Sequence, residues 1–140
     1  MTTWNTSYSR DIDAPSHAIW AVLADTSTWT AWNDGVKSIQ IEGPFASGTH
    51  FAMALPDGEI INSQLTSVVP GQHFVDETRL GDIVVRVTHR IEAVSGRLSR
   101  VTYAVDVQGP DAQAVGEAVS GDFPAVLEKL EVYVAQRAGA

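Results

Sequence analysis

The sequence predicts an α+β domain in which a meander of antiparallel strands packs against a long C-terminal helix, and three observations support this. From Asp111 to about Arg137, Val115, Val119, Phe123, Val126, Leu130 and Val134 recur at helical spacing, with Leu127 and Tyr133 widening the stripe. Ahead of it, turn-forming residues punctuate the chain at strand-and-hairpin intervals. Several of the segments between those turns alternate apolar and polar side chains, the pattern of a half-buried strand. A stripe that long must bury itself against something, and strands are what the chain supplies.

Taken in order, Tyr8 to Ile12 reads as a first strand. Asp13-Ala14-Pro15 stops it and starts a helix, because proline suits the first turn, where its missing N–H is not needed. Ile19, Val22 and Leu23 give that helix its buried side. A second short helical piece is expected from Thr26 to Trp32 after the capping pair Asp25-Thr26, with Trp29 and Trp32 sharing a face. Breakers at Gly43-Pro44, Ser47-Gly48, Pro56-Asp57-Gly58, Pro70-Gly71, Gly81-Asp82 and Ser95-Gly96 then define six more strands. These run from about Val36 to Glu42, Thr49 to Leu55, Ile60 to Val69, Gln72 to Leu80, Ile83 to Ala93 and Ser99 to Gln108. In the last helix Asp111 is the expected N-cap, and Gly139 lies past the end. Pro124, with Gly116 and Gly121 upstream, predicts a kink or break between Gly121 and Pro124, since an interior proline costs a straight helix about 3 kcal/mol.

Alternation assigns the faces. Val85, Val87, His89, Ile91 and Ala93 oppose Arg86, Thr88, Arg90 and Glu92, so His89 points inward among aliphatics. Val101, Tyr103, Val105 and Val107 oppose Arg100, Thr102 and Asp106, which turns Tyr103 inward too. Phe51, Met53 and Leu55 form a third inward set, and Ile39 with Ile41 a fourth. The strands from Ile60 and Gln72 stay unassigned, because Asn62, Gln64, Asp76 and Glu77 leave neither face cleanly apolar and a bulge would shift the phase.

Bulk properties narrow the function classes. One hundred and forty residues, 44% of them hydrophobic, fit a single domain over 1–140 with one core. Nine Lys and Arg against seventeen Asp and Glu give a net charge of −8, which disfavours nucleic acid and anionic membranes. The absence of cysteine removes disulfides, thiolate nucleophiles and Cys-bearing zinc sites. His17, His50, His73 and His89 lack metal-site spacing, and no phosphate loop or Gly-x-Ser-x-Gly elbow is present, so neither metal nor cofactor is expected. With no apolar span and no signal-like N-terminus, the expected location is cytoplasmic.

Several short motifs occur together in order: Asp13-Ala14-Pro15 with Ile19-Trp20, Trp29-Thr30-Ala31-Trp32-Asn33, Gly43-Pro44-Phe45 with Gly48-Thr49, Val69-Pro70-Gly71, Thr88-His89-Arg90 and Val107-Gln108-Gly109-Pro110. Over about Tyr8 to Val134 the chain resembles the polyketide cyclase/dehydrase branch of the START-like (SRPBCC) superfamily. The resemblance implies a helix-grip fold: a seven-stranded curved antiparallel sheet wrapped around a long C-terminal helix, with two short helices between strands 1 and 2. It also implies a cavity between sheet and helix that holds lipids, sterols, polyketides or other hydrophobic molecules. Some members cyclise or dehydrate bound polyketides, but no catalytic residue is shared across the branch, so none transfers to this chain.

The residues suggest where chemistry would sit. An imidazole on an apolar wall, His89, orients a ligand carbonyl or acts as general acid/base; otherwise it is a core histidine satisfied by a neighbour. Tyr103 either donates to the same ligand oxygen or packs with its hydroxyl at the rim. His89 and Tyr103 are the candidate catalytic pair. The candidate ligand-binding set is Trp32, Phe51, Met53, Gln64, Val87, His89, Tyr103, Val119 and Phe123, whose alternative reading is plain core, and Trp29 with Trp32 lines a mouth or pins the linker. Gln64, Asn62, Asp76 and Glu77 join the site only if they face in, solvated positions being the expectation. The expected partner is a small hydrophobic molecule, the chain being monomer or homodimer. The alternative class is a protein-interaction module like the superfamily's chaperone-activating relatives.

Overall fold

The computed structural model describes residues 2–138. Strand β1 (Thr3–Ile12) leads into helix α1 (Ser16–Leu23), a 3-10 turn at Thr26–Thr28 and helix α2 (Trp29–Trp32). Six strands follow: β2 (Ser38–Ile41), β3 (His50–Ala54), β4 (Ile60–Val69), β5 (His73–Leu80), β6 (Ile83–Ala93) and β7 (Ser99–Gln108). Helices α3 (Ala112–Ser120) and α4 (Phe123–Ala138) close the chain. All pairs are antiparallel in the order β1-β7-β6-β5-β4-β3-β2, so the meander is continuous and β1 returns to pair β7. This is the helix-grip arrangement.

The local chemistry acts largely where the residue types place it. Pro15 stands at the N-cap of α1, and Ile19, Val22 and Leu23 are its buried residues. The Asp25 carboxylate caps the 3-10 turn, accepting from the Ser27 N–H at 3.1 Å. β1 begins five residues before the expected Tyr8, because Thr3 to Ser7 pair with β7 although alternate side chains face water. The break expected in the last helix falls after Ser120, and α4 restarts at Phe123, which places Pro124 in a first turn where it removes no helical bond. One capping expectation fails. Asp111 precedes α3 in the left-handed region at φ 58 and its side chain makes no capping bond, since that backbone turns the carboxylate away from the first helical N–H groups. Gly139, expected past the helix end, lies outside the described residues.

Strand β4 explains why its face could not be assigned. The pairing with β5 shifts between Leu65 and Ser67, so Ser63 and Leu65 face inward before the bulge and Val68 after it. On β5, Phe74, Asp76 and Thr78 take the inward side, while Glu77 faces out and binds Arg79 and Arg86.

Packing divides the interior. Leu127, Leu130 and Val134 of α4, all at most 2% exposed, seat on Ile12, Ile19, Leu65, Ile91 and Val101. The other half, under α3, is a thinner cluster of Val85, Val87, Val105, Val107 and Ala112 with Trp4, Val115, Val119 and Phe123 against it. Gly116 sits so tightly on the Trp4 ring that α3 has no room for a side chain there.

Candidate functional site

The interior is hollow where α3 meets the sheet. Large side chains of α4 fill one half, whereas α3 presents Val115, Ala118 and Val119 toward the valines of β6, and a cavity of about 740 Å³ remains. That volume lies within the range of small-molecule sites, about 300–1,000 Å³. Its deep wall carries Trp29, Phe74, His89 and Tyr103, and its outer part is bounded by Asn33, Gly35, Pro56, Glu59, Leu80 and Asp122.

The tryptophans are held by a local chain of hydrogen bonds. Thr28 Oγ1 donates toward the Val22 carbonyl at 3.0 Å and accepts from Trp32 Nε1 at 3.0 Å. Trp29 Nε1 donates to the Leu23 carbonyl at 3.0 Å. Both indoles are buried, meet edge to face at 6.3 Å and line the cavity, so each does both the pinning and the lining expected of one or the other.

On the sheet side, three rings stack in register across strands. Phe74 on β5 faces His89 on β6 at 4.0 Å and an interplanar angle of 11°, and His89 meets Tyr103 on β7 edge-on at 4.4 Å. Phe123, at the start of α4, closes on Tyr103 at 5.4 Å. His89 Nε2 lies 2.9 Å from Asp76 Oδ2, and both side chains are largely buried, at 12% and 15% exposed. His89 Nδ1 is buried with no partner. A proton there would be stranded, so the geometry assigns the Nε2–H tautomer, with His89 donating to the Asp76 carboxylate.

This pair revises one expectation and bears on another. Asp76, expected to be solvated, faces in because the alternation of β5 runs Phe74, Asp76, Thr78. His89, expected either to orient a ligand carbonyl or act as general acid/base or to be a core histidine satisfied by a neighbour, has Nε2 engaged by Asp76, while its buried Nδ1 has no hydrogen-bond partner.

Tyr103 is 3% exposed and lines the cavity, and its hydroxyl makes no protein hydrogen bond among the described residues. Burial, reinforced by the negative charges of Asp76 and Asp122, pushes its phenol well above the ordinary tyrosine value, so the hydroxyl keeps its proton. At the mouth, partial burial raises the Asp122 carboxyl above its ordinary value, against a smaller opposing backbone hydrogen bond.

Of the candidate binding residues, Trp32, Met53, Val87, His89, Tyr103, Val119 and Phe123 border the cavity together. Phe51 does not; it is 3% exposed and packs edge-on beneath Trp29 at 5.9 Å. Gln64 faces away, its Nε2 donating to the Gly48 carbonyl at 3.1 Å, because its neighbours Ser63 and Leu65 occupy the inward side. Sequence reasoning passed over Phe74 and Asp122 as site residues. The first was hidden because adjacent Asp76 and Glu77 put an acidic residue on each face of β5, and the second stands in the helix break that the glycine and proline spacing had located. Among the described residues, no group of three His, Cys, Asp or Glu could hold a metal ion, and no helix is long and apolar enough to cross a membrane.

Comparison with known proteins agrees with this architecture. The family model described as polyketide cyclase/dehydrase and lipid transport matches residues 3–135. No curated protein matches the chain. Among solved structures, an aromatase/cyclase from a Streptomyces species superimposes with a TM-score of 0.81 at 15% identity, covering 98% of this chain and 96% of that one. Norcoclaurine synthase from Thalictrum flavum, in complex with dopamine and hydroxybenzaldehyde, gives 0.77 at 14%, covering 96% and 88%. A Mesorhizobium loti protein gives 0.78 at 18%, covering 96% and 98%. At such identities the likeness is one of fold.

Proposed function

The chain belongs to the polyketide cyclase/dehydrase and lipid-transport family, and from that premise we propose that it binds a small hydrophobic molecule bearing a carbonyl or hydroxyl oxygen in the cavity between sheet and α3. The observation that carries this reading is Tyr103: a side chain only 3% exposed whose hydroxyl has no protein partner among the described residues and opens onto the wall of a mostly apolar cavity. A hydroxyl that opens onto the cavity with no protein acceptor is free to bond a ligand oxygen, a hydrogen bond worth about 0.5–1.5 kcal/mol.

The same wall supports proton transfer beside a carbonyl. In this proposal Tyr103 donates to the carbonyl oxygen, and the Asp76 carboxylate removes a proton from the adjacent carbon, forming its own O–H as the electron pair moves to that oxygen. His89 positions Asp76 through the 2.9 Å hydrogen bond. The enolate carbon then attacks a second carbonyl of the same molecule, and the resulting alkoxide takes the proton back from Asp76, so an aldol cyclisation closes with no atoms gained or lost.

The test is native mass spectrometry of the purified protein, followed by titration with N-phenyl-1-naphthylamine, a neutral fluorescent apolar probe, on wild type and Val119→Phe. The added ring enters the void beside α3, so the variant is expected to keep its Tm and lose the probe. A probe bound equally by both would sink the reading, and a stoichiometric polypeptide in the spectrum would favour an interaction module instead.

A further inference from the structure

The cavity's charge is one-sided. Glu59, Asp76 and Asp122 line it, whereas no lysine or arginine does among the described residues. Asp76 has a partner in His89, and nearby Asp34 is engaged by Lys129, but no Lys, Arg or His pairs with Asp122 among the described residues. Its position is specific. An ideal Cβ built on Gly35 would stand 3.1 Å from Asp122 Oδ2 and 3.1 Å from Asn33 Oδ1, so two acceptor oxygens converge over a glycine that leaves the space open. The orientation of the Asn33 amide is set by the Gly35 N–H, which donates to Oδ1 at 2.9 Å. Deeper in, the unpartnered Tyr103 hydroxyl independently marks a place for a ligand, and Trp29, Trp32, Phe74 and Phe123 supply aromatic walls, a surface that also favours cations.

From these positions we propose that the ligand is cationic: a protonated amine on an apolar, aromatic-sized body, its ammonium held at the mouth by Asp122 and Asn33 over Gly35. The ammonium donates to both oxygens, the body lies between α3 and the aromatic wall, and an oxygen at the far end reaches Tyr103. An anionic ligand of the same shape meets like charge at the mouth and at Asp76 and is excluded. Partial burial of Asp122 fits this, because a carboxylate poised without a counter-charge gains most when one arrives.

This inference rests on the small-molecule reading of the cavity, and the experiment separates the two. Three ligands share one body and differ in charge: 2-(2-naphthyl)ethylamine, 2-(2-naphthyl)ethanol and 2-naphthylacetate. Each is titrated by calorimetry at pH 7 into the full chain and into Asp122→Asn and Gly35→Ala, with thermal melts to confirm folding. Expected for wild type is the amine binding about tenfold tighter than the alcohol, with the carboxylate weakest. Either substitution should bring the amine to within about twofold of the alcohol, whose own affinity stays. Equal binding of amine and alcohol by wild type, or a preference for the carboxylate, overturns the cationic assignment while leaving the cavity as a binding site. Failure of all three to bind removes the small-molecule reading and this inference with it. An amine preference that survives both substitutions in folded protein overturns the mouth as its origin.

Discussion

Asp76 and His89 reach each other diagonally across neighbouring strands: Asp76 is paired in register with Val87 and His89 with Phe74, yet Oδ2 and Nε2 meet at 2.9 Å. Both side chains share the inward face, and their contact makes a polar unit on a wall that is mostly aromatic and aliphatic. A double-mutant cycle on Asp76→Asn and His89→Phe, read by urea unfolding at pH 7, is expected to give a coupling of about 1–2 kcal/mol. Additive single effects would show that the pair does not form in solution.

Tyr103 predicts an unusual separation of stability from binding. Because its hydroxyl opens onto the cavity with no protein partner, Tyr103→Phe breaks no protein hydrogen bond, and its Tm should be unchanged or higher. Affinity for an oxygen-bearing ligand should fall about tenfold, whereas an oxygen-free hydrocarbon of the same shape should bind as before. A loss of stability would place an unseen partner on the hydroxyl.

Asp122 predicts a pH signature. Burial raises its carboxyl in the folded chain above the ordinary value of 3.8, so between those two values the folded protein binds more protons than the unfolded one. The contribution of this group to stability therefore falls as pH rises through that window, and at pH 7 the folded state bears the full cost of the charge. Asp122→Asn is expected to raise stability at pH 7 by less than about 1 kcal/mol, given its solvent contact, and the gain should vanish as pH drops toward 3.8. A gain independent of pH would assign the effect to something other than the charge.

Gly116 predicts a packing failure. A methyl group there would run into the Trp4 ring between α3 and β1, so Gly116→Ala should force one of them to move and cost about 1–3 kcal/mol in urea unfolding. Gly48→Ala is not its equal as a control, since Gly48 has open space but a positive φ of 97. Gly96→Ala is the better one, with neither constraint, and should change stability little.

The contrast between β6 and β4 shows how far the chain could be read without coordinates. On β6 strict alternation placed Val87 and His89 on the wall, and the spacing of Gly121 and Pro124 located the break that divides α3 from α4. On β4 an extra residue between Leu65 and Ser67 shifts the phase, and on β5 adjacent Asp76 and Glu77 leave neither face cleanly apolar, so neither the outward turn of Gln64 nor the inward turn of Asp76 could be read. Periodicity reports a side chain's face only while the register is unbroken.

By itself the sequence determined the order of the elements, the inward faces of the regular strands and the helix that covers them, because those follow from local period and turn chemistry. Only the tertiary structure decided that Asp76 holds His89, that Asp122 and Asn33 converge over Gly35, and that space remains between α3 and the sheet. Each of these depends on how residues distant along the chain fill or fail to fill a shared volume, and no local pattern encodes that sum.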